Sequence, residues 1–137
     1  MSVSQHCLGQ NVHHLEWCTK YRFAMLQREE FYNACEASIR RAAARHGIGV
    51  LELSVMPEHV HALVQIPSTM CVARAAMLLK GCSSYDLFRL EPNFRKRYRK
   101  SHFWGRSYFH RSVGDASLEV ILRYVREEND PRQTRLA

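Results

Sequence analysis

The chain has 137 residues, 46% of them apolar, with 20 lysines and arginines against 13 aspartates and glutamates. This length predicts a single domain over residues 1–137, and it excludes a TIM barrel or a two-domain Rossmann dehydrogenase. The net charge of +7 favours an anionic partner, with nucleic acid before a membrane surface. The sequence contains no apolar run of about 18 residues, so it predicts no transmembrane helix.

Hydrophobic periodicity predicts elements in the order β-α-β-β-α-β-α. In chain order these are a strand over 12–19, a helix over 29–46, strands over 50–56 and 59–66, a helix over 72–79 with a further short helix over 84–90, a strand over 101–113 and a helix from 115 onwards. Gly47 and Pro57 mark turns, and Asp115 can cap the last helix. The order predicts an α+β fold, ferredoxin-like or RRM-like: an antiparallel sheet with helices on one face, a free second face and an added C-terminal helix.

The five cysteines are odd in number and never spaced C-x-x-C. This pattern predicts reduced thiols in a cytoplasmic protein rather than a disulfide framework or a structural zinc site. Residues 1–10 show no charged and apolar signal-peptide pattern, which agrees with a cytoplasmic location.

The positive charge is concentrated between Lys80 and Arg111, where nine bases accompany two acids, whereas the rest of the chain holds 11 of each. Cations alternate with aromatic residues over 94–104, which favours phosphate contacts and stacking of unpaired bases. The alternative is a solvated basic loop in which some of the aromatic side chains (Phe94, Tyr98, Phe103 and Trp104), above all Phe103 and Trp104, belong to the core. The cations expected to contact DNA are Lys80, Arg95, Lys96, Arg97, Arg99, Lys100 and Arg106.

Two further patterns could carry chemistry. His59 and His61 alternate on a predicted strand, so their side chains share a face about 7 Å apart and could hold one divalent metal ion. Tyr124 and Glu128 are four residues apart on the last helix, so a phenol and a carboxylate share a face. A tyrosine can attack phosphorus when a metal ion neutralises the phosphate, and Glu128 could be a third ligand. The alternatives are two solvated histidines and an ordinary helix surface.

Five segments in this order resemble those of the single-tyrosine transposases of the smallest insertion sequences, the IS200 type within the HUH (His-hydrophobic-His) nucleases. The segments are W-C-T-K-Y-R at 17–22, V-M-P-E-H-V-H at 55–61, L-K-G-C-S-S at 79–84, the F-W, Y-F and S-V-G groups within 103–114, and Y-V-R-E-E at 124–128. Two positions depart from the family pattern: Glu128 stands where glutamine is common, and Tyr85 and Asp86 replace basic residues.

The resemblance implies a DNA transposase. His59, His61 and Glu128 would hold Mg²⁺ or Mn²⁺, and Tyr124 would attack single-stranded DNA to give a 5′-phosphotyrosine and a free 3′-hydroxyl. It also implies a homodimer that recognises DNA hairpins at the element ends, with active sites shared between subunits. The alternatives are a domesticated or non-catalytic hairpin- or single-strand-binding protein on the same fold, and a small metal-dependent hydrolase.

Overall fold

The structure, a computed structural model, describes residues 11–98, 100 and 102–128, without the side chains of residues 115–118, 121 and 128. Its elements are β1 (Val12–Cys18), a single 3₁₀ turn (Lys20–Arg22), α1 (Glu29–Arg45), β2 (Gly49–Val55), β3 (His59–Gln65), α2 (Val72–Leu90), α3 (Phe94–Arg97), β4 (Phe109–Ser112) and α4 (Asp115–Glu128). None of the described helices is long and apolar enough to cross a bilayer. The four cysteines within the described part form no disulfide.

The strands form one antiparallel sheet in the order β2-β3-β1-β4. Strand β1 pairs with β3 along its whole length, so that Val12 lies opposite Gln65 and Cys18 lies opposite His59. The connection from β1 to β2 therefore passes over β3, as the split β-α-β pattern requires. The predicted α+β architecture is confirmed.

Alternation along the strands divides the sheet into two different faces. Leu15 and Trp17 of β1 point into the main core with Val60 and Ala62 of β3, where α1 and α2 pack. The opposite face is covered in part by α4, whose buried Val125 joins a second, smaller core. The expectation of a free second face is therefore wrong for the part of the sheet beneath α4.

Two predicted boundaries differ from the structure. The two helices predicted over 72–79 and 84–90 form one continuous helix of 19 residues, α2. Gly81 lies within it and does not interrupt it. The strand predicted over 101–113 is reduced to Phe109–Ser112, preceded by a single bridge between Thr19 and Trp104. The aromatic residues before β4 are apolar enough to suggest a strand, but Phe103 and Trp104 are buried among the helices instead.

Candidate active site

The two histidines of the H-x-H pattern converge at the start of β3. Nε2 of His59 lies 3.1 Å from Nε2 of His61. On its other side, His59 Nδ1 lies 2.8 Å from Glu58 Oε1, a distance at which the ring N–H donates to the carboxylate. A carboxylate in this position fixes the tautomer and leaves the Nε2 lone pair available to a metal ion.

Strand β1 adds two side chains that the sequence reasoning missed. His14 Nε2 lies 3.1 Å from His61 Nδ1, and the two rings stack with centroids 5.3 Å apart. Glu16 is the register partner of His61, and its Oε2 lies 3.7 Å from the same Nδ1. His14, Glu16 and His61 each offer one ligand atom, all within 4.8 Å of one another, a group consistent with an HUH metal site. Alternation on β1, combined with its pairing to β3, was the signal that could have found them.

The surroundings of His61 and His14 favour the neutral form of both imidazoles. Burial, followed by the neighbouring His59 and His14, lowers the pKa of His61 from 6.5 to about 3. Burial also lowers the pKa of His14. Two ligands bound side by side to a six-coordinate ion at about 2.1 Å lie about 3.0 Å apart, close to the separation of the two Nε2 atoms. Two imidazole nitrogens at this spacing, with the His59 ring oriented by a carboxylate, are a donor set that fits a divalent ion.

Helix α4 brings Tyr124 to this histidine group within one chain. The Tyr124 ring lies edge-on to His61, with centroids 5.5 Å apart, and is 45% exposed. The contacts that hold the helix on the sheet include the buried side chain of Val125, the Leu122 side chain beside it, and an ion pair from Arg126 Nε to Glu52 Oε2 at 2.8 Å.

Glu128 is the last residue of α4, and its side chain lies outside the described part of the structure. The prediction that it binds the metal ion therefore stays a prediction.

The predicted DNA-contacting cations occupy different environments. Arg95, Lys96 and Arg97 are exposed on the one-turn helix α3. Lys80 is half-buried, and its ammonium donates to the Gly105 carbonyl at 2.7 Å, so it ties α2 to the segment before β4. Lys100 and Arg106 are exposed, and they line one wall of a cavity beside α2. Arg99 lies outside the described residues.

The aromatic side chains of the basic segment belong to the core, as the alternative interpretation holds, above all for Phe103 and Trp104, and the interpretation as base-stacking rings is wrong. All four rings are buried, and they pack against one another and against α1 and α2. The buried side chains are Phe94, Tyr98, Phe103 and Trp104.

An exposed ring of a different kind lies at Tyr21, directly after β1. This residue is 67% exposed and has a left-handed backbone, with φ at 62°. The Lys20 ammonium lies 5.3 Å from the ring centroid, and the Lys20 carbonyl accepts a hydrogen bond from the Tyr98 hydroxyl at 2.9 Å. Such a backbone costs about 1–2 kcal/mol in a residue other than glycine, and strained residues of this kind cluster at functional sites.

A histidine pair on an inner strand, with a tyrosine from a following helix beside it, defines the class of single-tyrosine HUH nucleases. The family model described as "Transposase IS200 like" matches residues 8–128. The chain therefore belongs to the IS200-like transposase family, as its sequence motifs indicate, and membership of this family implies enzymatic activity.

Curated relatives and solved structures agree with this assignment. The chain is 29% identical over 118 residues to the ISDra2 transposase TnpA of Deinococcus radiodurans, with 86% of this chain and 84% of the relative covered. It is 28% identical over 125 residues to the IS200 transposase of Salmonella typhimurium, with 85% and 82% covered. A crystal structure of a transposase from Deinococcus radiodurans superposes with a TM-score of 0.71 at 25% identity, covering 94% of this chain and 98% of that one. A REP-associated tyrosine transposase bound to a REP hairpin shares the fold, with a TM-score of 0.60, 11% identity, and 91% and 70% covered.

Proposed function

We propose that this protein cleaves and rejoins single-stranded DNA at the ends of an insertion sequence, with Tyr124 as the nucleophile. The proposal rests chiefly on the Tyr124 ring lying 5.5 Å from that of His61, beside a pair of convergent imidazole nitrogens.

The bond from Tyr124 Oη to phosphorus forms as the bond from phosphorus to the 3′-oxygen breaks. The phenol loses its proton to solvent and the departing 3′-oxygen gains one, which leaves a 5′-phosphotyrosine and a free 3′-hydroxyl. Attack by another 3′-hydroxyl reverses the step, so rejoining needs no nucleotide triphosphate.

The residues that would hold Mg²⁺ or Mn²⁺ are His59 and His61 through Nε2, together with an oxygen of Glu128. A bound ion supplies positive charge that neutralises the scissile phosphate. A single imidazole cannot offer both of its nitrogens to one ion. With the His61 Nε2 atom turned towards the ion, its Nδ1–H is directed at His14 and Glu16, which would then orient the ring. The alternative arrangement places the ion among His14, Glu16 and His61, and leaves His59 outside.

The DNA partner is proposed to be a single strand carrying hairpins. The exposed cations of α3 support a phosphate-binding surface, and a protein of the same fold is bound to a REP hairpin. Such a partner agrees with the cytoplasmic location expected from the cysteine pattern.

We also propose a homodimer, as the family resemblance implies. A single chain already places its own Tyr124 beside its own His61. The oligomeric state can be measured by light scattering, and sharing of the active sites can be tested by mixing inactive Tyr124→Phe subunits with inactive His59→Ala subunits. A covalent adduct in the mixture would demonstrate that α4 is exchanged between subunits, whereas its absence would support sites built within one chain.

The test of the main proposal is a covalent-adduct assay with hairpin oligonucleotides and Mn²⁺. The parent protein is expected to form a protein–DNA adduct that survives denaturation, and Tyr124→Phe is expected to lose it while hairpin binding changes by less than about twofold, because only the hydroxyl is removed. An undiminished adduct in the variant would overturn the assignment of the nucleophile. Hairpin binding by the parent without metal-dependent cleavage would favour the non-catalytic alternative.

A further inference from the structure

Gly81 occupies the interior of α2, where neither the backbone nor the packing explains a glycine. Glycine weakens a helix interior relative to alanine, because it has more freedom to lose on folding. Gly81 does not have the left-handed backbone that Gly47 adopts at the end of α1. A Cβ atom built at Gly81 meets no described atom within 4 Å. The absence of a side chain at Gly81 therefore leaves open space on this face of α2, which a ligand could occupy.

Gly81 lines a cavity of about 810 Å³ between α2 and the segment before β4. We call this cavity the α2 groove; its walls include Met77, Lys80 and Gly81 on one side and His102, Arg106 and Tyr108 on the other. Lys20 and Lys100 also line it, so four lysines and arginines face the cavity, and no acidic residue is found among its described lining. This charge is complementary to a phosphodiester backbone.

The lining between the cations includes apolar and aromatic side chains against which a nucleobase can pack. The Met77 side chain is 57% exposed on α2, and the Tyr108 ring lies across the groove. Trp104 lies beneath the groove and is only 6% exposed, with its Nε1–H donating to Ser83 Oγ at 3.0 Å, so it supports the floor of the groove and does not itself stack on a base. Cations beside apolar and aromatic faces are the combination with which proteins bind unpaired nucleotides.

The α2 groove is connected to the histidine site through the end of β1. Its lining residue Gly105 donates a hydrogen bond from its N–H to the Cys18 carbonyl at 2.8 Å, and Cys18 is the register partner of His59. From the same segment the chain continues into β4, where the exposed Phe109 ring lies 5.9 Å from that of His14. A strand seated in the groove can therefore continue around this edge of the sheet to the histidines.

We propose that the α2 groove binds an unpaired nucleotide of the DNA substrate, with the strand passing closely over Gly81. This site rests on the proposed function, since it receives the same strand that Tyr124 attacks. It adds a second contact with the substrate strand. Nucleotides next to the cleaved bond would bind in the α2 groove, on the α2 side of the sheet, while the cleaved phosphate lies at the histidines on the α4 side.

The test is a pair of leucine substitutions on the full-length protein, Gly81→Leu in the groove and Tyr85→Leu outside it on the same helix. Because the space at Gly81 is open, the leucine is accommodated and fills the groove. Gly81→Leu is expected to weaken binding of short oligodeoxythymidine at least about tenfold, with Mn²⁺ binding and the thermal unfolding temperature unchanged. Tyr85→Leu is expected to bind like the parent, and Gly81→Ala is expected to unfold at the same or a higher temperature.

Equal oligodeoxythymidine affinity in Gly81→Leu and Tyr85→Leu would overturn the proposal. A change in oligomeric state in Gly81→Leu without loss of DNA affinity would also overturn it, and would identify the groove as a contact between two copies of this chain. Failure of the proposed function is separately visible. If the parent forms no covalent adduct but Gly81→Leu still loses oligonucleotide binding, then the groove is a DNA site and the cleavage proposal is wrong.

Discussion

Glu16 and His61 face each other across β1 and β3, with Glu16 Oε2 3.7 Å from His61 Nδ1. The distance is longer than a hydrogen bond, and His14 Nε2 lies nearer to the same nitrogen, at 3.1 Å. His61 is thus held between a strand that carries His14 and Glu16 and a neighbour, His59, that meets its other nitrogen. Which side of the imidazole meets the metal ion decides the role of each of these residues.

Metal affinity distinguishes the two arrangements. With the ion between His59 and His61, His59→Ala is expected to abolish Mn²⁺ binding, and Glu16→Gln is expected to weaken it about tenfold by loosening the His61 ring. Isothermal titration calorimetry measures both. If Glu16→Gln abolishes binding while His59→Ala retains it, the ion instead lies among His14, Glu16 and His61.

The stability of the metal-free protein is expected to fall with acidification below about pH 6.5. The pKa of His61 is about 3 in the folded protein and 6.5 in a model peptide, so the unfolded chain takes up a proton that the folded chain does not. The free energy of unfolding therefore decreases as pH falls between these values, by about 1.4 kcal/mol per pH unit for this one group.

Urea unfolding at pH 7.5 and pH 5.0, in the presence of a chelator, measures this pH dependence. His61→Gln is the control, since it removes the titrating group and is expected to reduce the difference between the two pH values. An equally steep dependence in His61→Gln would assign the effect to other residues.

The ion pair between Arg126 and Glu52 is expected to matter for the position of Tyr124 more than for stability. Arg126 is largely exposed, so the pair contributes little to the free energy of unfolding. Glu52→Gln is expected to slow adduct formation by up to about fivefold through loosening of α4, with unchanged Mn²⁺ affinity. Rates from quenched time courses measure this, and Arg40→Gln, which breaks the Arg40–Glu36 pair on α1, is expected to leave the rate unchanged.

Charge reversal on α3 is expected to change the salt dependence of DNA binding. Lys96→Glu with Arg97→Glu should weaken binding of single-stranded DNA and reduce the slope of log affinity against log salt by about 0.7 for each phosphate that is no longer neutralised. Fluorescence anisotropy at several salt concentrations provides the slope. The matched control reverses Arg45 and Arg74, two exposed cations outside the 80–111 segment; an equal weakening in that control would show that the charge acts without regard to position.

Local patterns predicted β1, β2, β3 and the histidine pair, because alternation along a strand involves only neighbours in sequence, whereas they made β4 much too long. The contribution of β1 was accessible in principle: the split β-α-β order places β1 beside β3, and His14 and Glu16 alternate on the same face. It was missed because each residue is ordinary without its partner 45 or more positions away. The burial of Trp104 was anticipated from its apolar surroundings in sequence, but its hydrogen-bond partner Ser83 was not, because that contact depends on how α2 packs.

The aromatic and the cationic side chains of segment 94–104 occupy different environments. Its aromatic rings are anchored inside the protein, while Arg95, Lys96 and Arg97 are exposed. The guanidinium carbons of Arg95 and Arg97 lie 4.8 and 4.9 Å from the ring centroids of Phe88 and Phe23. Substitution of Lys96 leaves these ring contacts intact, whereas substitution of Arg95 or Arg97 removes one of them. The buried rings therefore fix where the charge of α3 is presented: the Phe94 ring packs on Phe31 of α1 with centroids 4.8 Å apart, so the core itself carries this cationic surface.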